Sequence, residues 1–130
     1  MFGFLIALSV AASPNVNENE WTTLNTSLEL VLAAEVVVDV MQTRWFLGKP
    51  ANPALYIEGS KYVEGNPILG RNPSGPRLYL TAAAAVIAHA AIARLLPHSY
   101  REAWQYITIG VESSVIAANY RMIGRFKLSF

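Results

Sequence analysis

Glu35, Asp39, His89 and Glu112 are ionisable residues set in segments rich in alanine, valine and isoleucine. Two or three carboxylates with one imidazole can bind a divalent metal, and such groups in a row can also pass protons. Glu35, Asp39 and Gln42 fall at i, i+4 and i+7, one face of a helix. Gln105, Thr108, Glu112 and Asn119 make a second narrow stripe. His89 sits among Ala82, Ala85 and Ala93, small residues that let helix backbones approach closely. The signatures that would sharpen a metal site are absent from the sequence. It has no Glu-x-x-His pair, no His-Glu-x-x-His and no second histidine on these helices. The simpler expectation is interhelical hydrogen bonding that fixes helix register. An ionised Asp at a lipid-exposed helix centre costs about 2.5–3.5 kcal/mol, so the four residues are expected to face one another.

Gly110, Ser114 and Ala118 form a small-xxx-small row on the face of the same helix opposite Glu112. Such a row contacts either a neighbouring helix of the chain or a second copy. The stretch "YVEGNPILGRNPSGPR", residues 62–77, holds two Asn-Pro pairs and three glycines. Its asparagines and serine are suited to turns and to capping a following helix, with Asn72 or Ser74 in that role. "GNPILGRNPSG" lacks the Gly-Lys-Ser/Thr ending of a phosphate loop, and no G-x-S-x-G elbow occurs anywhere in the chain. Ser99 beside His98 reads as a helix start, because adjacent residues on a turn seldom meet in triad geometry. No cofactor motif is evident, and the sequence leaves enzymatic activity open while leaning against it.

The elements that must carry these residues follow from composition and punctuation. The 130 residues fit one domain; 53% are hydrophobic and 15% charged, against about 25% charged in soluble domains. Mean hydropathy is +0.30. The absence of cysteine excludes disulfides and thiolate metal sites. A net charge of +1 gives no basic patch for nucleic acid.

Residues 1–20 form an apolar segment and an acidic linker. "MFGFLIALSVAA" is shorter than the roughly 20 residues a span needs. It is similar to a signal-peptide core, with Val10-Ala11-Ala12 as a small-residue cleavage site, but lacks a basic residue ahead of it. It is read as an interfacial or short helical anchor. Residues 21–130 are then a single helical membrane domain.

Helix one covers 21–47, with Thr26 and Glu29 at capping-box spacing and Thr22 or Asn25 as other starts. Gly48 and Pro50 stop it. A long Gly/Pro/Asn-rich loop follows, and helix two covers 76–96, with Pro76 in its first turn. The Pro97-His98 joint makes helices two and three an antiparallel hairpin. Helix three runs from Ser99, boxed with Glu102, to about Ile123. "RFKLSF" ends the chain as a short amphipathic tail. Basic residues gather on the long loop and after helix three, so the positive-inside rule puts both in the cytoplasm.

"DVMQTRWFL", "EGNPILGRNPS" and "YREAWQYITIGVESSVIAANY" together resemble an uncharacterised group of small helical membrane proteins of bacteria and phages carrying an Asn-Pro-x-Leu-Gly loop. The resemblance covers roughly residues 35–123. It implies a bacterial inner-membrane location and a phage-related origin, and carries over no catalytic residue. The expected fold is an all-α, three-helix membrane bundle. The expected role is that of a non-enzymatic structural or accessory subunit of a larger membrane or phage-related assembly, partnered by the lipid bilayer and by further copies or a larger complex. Two alternatives are an intramembrane ion-handling or metal-dependent enzyme built on the acidic-histidine residues, and a holin-like permeabilising protein.

Overall fold

The structure is a computed structural model that describes residues 20–50, 59 and 61–123. The N-terminal apolar segment and the C-terminal tail lie outside these residues. Three helices and no strand occur among the described residues: α1 Thr23–Phe46, α2 Gly75–Leu95 and α3 His98–Ile123.

Local chemistry sets their ends. Thr22 is the N-cap of α1. Its hydroxyl accepts the Asn25 N–H at 3.1 Å, and Asn25 Oδ1 accepts the Thr22 N–H at 3.1 Å. Both orphan donors are satisfied by this reciprocal pair. Ser74 caps α2 by accepting the Arg77 N–H. α3 begins one residue earlier than the sequence suggests. The Pro97 carbonyl takes the N–H groups of Tyr100 and Arg101, at 3.0 and 2.9 Å, so Ser99 lies inside the first turn rather than at the cap.

Side-chain pairings give the direction of each helix. Asn25 meets Gln105 and Asp39 meets Asn119, so α1 and α3 run parallel. His89 meets Glu29 and Thr108, and Arg44 meets Tyr79, so α2 runs against both. The bundle is up-down-up, with α1 packed most extensively on α3.

The α1 residues turned inward are Asn25, Leu28, Leu32, Glu35, Asp39, Gln42 and Phe46, at alternating steps of three and four. On α3 the matching set is Arg101, Gln105, Thr108, Glu112 and Asn119. This heptad spacing is that of two helices packed knobs-into-holes, and here many of the knobs are polar.

Apolar burial is slight and concentrated at the loop end. Leu69 reaches back between the helices and packs with Val40 and Leu78. Asn66 forms the turn that delivers it: its side chain accepts the Ile68 N–H, and its carbonyl accepts from Leu69 and Gly70. Gly70 closes the turn at φ 76°. The other end of the loop is pinned by a Pro50–Lys61 bridge and by Tyr62, whose ring edge meets Phe46. The Tyr62 hydroxyl donates to the Met122 carbonyl at 2.8 Å, tying loop to α3.

The expected three helices are present. Among the described residues α2 alone is long and apolar enough to cross a membrane by length and composition. α1 and α3 miss that mark because their inward faces carry the charged and amide groups.

Candidate functional site

The four residues singled out by the sequence do not form one cluster. His89 pairs with Glu29, a residue the sequence reading passed over as a mere capping partner. The imidazole Nδ1 and Glu29 Oε2 are 3.0 Å apart, and both side chains are largely buried. Nε2 meets the Thr108 hydroxyl at 2.7 Å. The ring stacks on Trp104, with centroids 5.1 Å apart. Gln105, fully buried, donates its amide to Glu29 Oε1 at 2.8 Å and to the Asn25 carbonyl at 3.1 Å, while its oxygen accepts from Asn25 Nδ2 at 2.9 Å.

Donors and acceptors in this cluster close in two ways. The Thr108 hydroxyl can donate to the backbone carbonyls of Trp104 or Gln105, which lie 2.9 and 3.0 Å away. Nε2–H then donates to Thr108, Nδ1–H to the Glu29 carboxylate, and the ring is an imidazolium over the Trp104 face. Alternatively Thr108 donates to Nε2 and His89 is neutral. In both arrangements Glu29 keeps two donors.

Arg101 is 1% exposed and has no carboxylate partner in the cluster. It donates to three carbonyls instead: Ala93 and Leu96 at the end of α2, at 2.8 and 3.0 Å, and Glu20 ahead of α1, at 2.7 Å. A cation is favoured at a helix C-terminus, where carbonyls lack intrahelical partners. Arg101 thereby ties together one end of all three helices.

Glu35, Asp39 and Glu112 lie toward the opposite end. Glu35 accepts the Ser113 hydroxyl. Asp39 accepts from Asn119 Nδ2 at 2.7 Å. Ten residues of α1 separate Glu29 from Asp39, about 15 Å of rise. A cavity of 560 Å³ opens beside Asp39 and Glu112 under the loop, with Glu64 and Lys61 also in its wall. Among the described residues no three His, Asp or Glu side chains are arranged to hold a metal ion. Proximity of Asp39, Glu112 and Glu64 is therefore a shared electrostatic environment, without converging ligands.

Gly110, Ser114 and Ala118 are exposed, so no other helix among the described residues covers that row. The Asn-Pro loop is structural in the way its residues suggest. Glu64 accepts the Asn66 N–H, Ser74 caps α2, and Arg77 donates to the Ile68 carbonyl at 2.8 Å. Asn25, Glu29, Trp104 and Arg101 were missed. Asn25 and Glu29 share a face of α1 by helical period, and Arg101 shares one of α3 with Gln105, which was the available signal for three of the four.

No protein-family model, curated protein or solved structure matches the chain.

Proposed function

We propose that this chain is a non-enzymatic integral membrane protein, crossing the bilayer three times and serving as a structural or accessory subunit of a larger membrane assembly. The observation that carries the reading is the inverted distribution of polarity. The largest fully buried side chains are Arg101, Gln42, Gln105, Asn25 and Thr43, while Leu30, Val37, Leu80, Ile87, Ile107 and Val111 are exposed. In water such apolar surface would drive aggregation. In hydrocarbon it is solvated, and polar side chains gain by meeting one another across helices.

Dimensions and belts support the same reading. The helices of 24, 21 and 26 residues rise about 36, 32 and 39 Å, each enough for a hydrocarbon core of about 30 Å. Trp21 and Trp45 flank α1. Arg94 lies 4.3 Å from the Trp21 ring, and Lys49 lies 3.3 Å from the Trp45 ring. Aromatic rings carrying cations at both ends are what the two membrane interfaces favour. The His89 cluster supports a structural role for the polar interior, because the His89, Glu29, Gln105 and Asn25 side chains are occupied with one another.

The expected outcome is that the protein sediments with membranes, resists carbonate extraction and co-purifies in detergent with a partner identifiable by mass spectrometry. Recovery as a stable monomer without detergent would defeat the membrane reading. Stoichiometric metal or membrane leakage on expression would instead favour the catalytic or holin-like alternative.

A further inference from the structure

α1 and α3 enclose between them a groove of 640 Å³ to which α2 contributes no residue. Val38, Ile116, Ala117 and Tyr120 make its apolar wall, and Arg121 lines it as well. Two acceptors in that wall lack a hydrogen-bond partner: Oε1 of Gln42, a side chain only 2% exposed, and Oε2 of Glu35. Gln42 spends its amide N–H on the Ile116 carbonyl at 3.3 Å, and Glu35 takes the Ser113 hydroxyl on its other oxygen. An unmet polar atom costs more in lipid, where no water can reach it. Gly110, Ser114 and Ala118 are exposed on the adjoining strip of α3, outside the groove wall. A Cβ placed on Gly110 meets nothing within 4 Å. This face has room for another helix backbone and lacks two donors.

We propose that a second copy of the chain fills this groove, forming a twofold dimer whose axis runs along the helices. The inference rests on the membrane-spanning reading above. Insertion in one orientation holds both copies at the same depth, and a twofold interface pairs a patch with itself. Each orphan acceptor must then be met by a donor at its own level. The chain carries one donor in the groove wall, Tyr120, and another on the strip beside it, Ser114. Tyr120, 56% exposed, lies one turn beyond Ile116, whose carbonyl anchors Gln42. Ser114 adjoins Ser113, which anchors Glu35, and its own hydroxyl is spent only on the Gly110 carbonyl of the same helix. A turn of the Gln42 and Glu35 side chains into the groove presents them to Tyr120 and Ser114 of the other copy, and the symmetry makes every pairing reciprocal. A partner of different sequence would have to supply donors at the same two depths.

The chain has no cysteine, so introduced cysteines report without background. In proteoliposomes, Ala117→Cys is expected to give a covalent dimer on mild oxidation, while Ile87→Cys, on the exposed face of α2, is not. Gly110→Leu is accommodated by the protomer yet puts bulk on the small-residue strip beside the groove, where the second backbone would approach. It should leave helicity and unfolding unchanged and lower the dimer fraction, read by single-molecule photobleaching, by about tenfold. Tyr120→Phe should weaken the dimer about three- to tenfold, the scale of one interhelical hydrogen bond in a bilayer. A chain that is monomeric at every protein-to-lipid ratio overturns the proposal, as does a dimer that tolerates Gly110→Leu or crosslinks through Ile87→Cys. Carbonate extraction on the same membranes distinguishes the two failures. A retained but monomeric chain defeats the dimer alone, and an extracted chain defeats the membrane reading.

Discussion

Gln105 is the residue on which the His89 cluster depends, because its amide is the link between Asn25 and Glu29. Gln105→Leu would leave the Asn25 side chain and one Glu29 oxygen without their partners, at about 1–3 kcal/mol for each unmet group. Gln105→Glu should be worse than its near-identical shape suggests, since it removes both donated bonds and places a second carboxylate against Glu29. The sharper test is a pair of double-mutant cycles read by unfolding in detergent. Asn25→Ala and Gln105→Ala share a hydrogen bond and should couple by about 0.5–3 kcal/mol. Asn25→Ala and Asn119→Ala should add, because Asn119 is held by Asp39, 14 residues and about 21 Å further along α1. Coupling between the distant pair would mean that the polar interior behaves as one network rather than two clusters.

At the scale of elements, the segment 61–74 of the loop between α1 and α2 behaves as a folded part of the bundle end. Its function in the fold is to insert Leu69 between Val40 and Leu78, and the Asn66–Gly70 turn sets that depth. A side chain at Gly70 would find open space, so only its left-handed backbone, φ 76°, resists substitution. Stability should therefore fall in the order Gly, Asn, Ala, Val at position 70, with Ala costing about 1–2 kcal/mol and Asn less. Hydrogen exchange of loop amides should rise in the same order, while α3 amides near Gln105 stay protected. An order following side-chain volume alone would show that packing, not backbone conformation, governs the turn. The starts of α1 and α2 were legible in the sequence because caps are local: Thr22 and Ser74 lie three residues from the N–H groups their side chains satisfy. Partner identity was not legible. Period assigns Glu35, Asp39 and Glu112 to inner faces, but the axial offset between α1 and α2 passes through a loop of nearly thirty residues. Nothing in the sequence fixes that offset, and a shift of six residues is enough to exchange Glu35 for Glu29 opposite His89.

For the whole molecule, parallel α1 and α3 with an opposed α2 fix which ends share a side. The ends of α1 and α3 meet under the loop, where the Tyr62 hydroxyl bonds the Met122 carbonyl and Arg44 bonds the Tyr79 hydroxyl. The start of α1 meets the α2–α3 joint, where Arg101 donates to Glu20 and Leu96. In a membrane these two ends occupy opposite faces, so the topology is a consequence of the pairings as well as of loop charge. A tag placed after Phe130 should be cytoplasmic together with a tag inserted at Gly59, and a tag in the Ser13–Glu20 linker should lie across the membrane. Protease protection of tagged vesicles reads all three. The charge argument can then be separated from the packing argument by neutralising Lys49, Lys61 and Arg71 in the loop. If positive charge alone orients the chain, the triple variant should appear in mixed orientations. Its Phe130 and Gly59 tags should still agree with each other in every molecule, because up-down-up packing, not charge, holds them at one end. A Phe130 tag on the side opposite the Gly59 tag would refute the parallel pairing of α1 with α3, and with it the three-span arrangement.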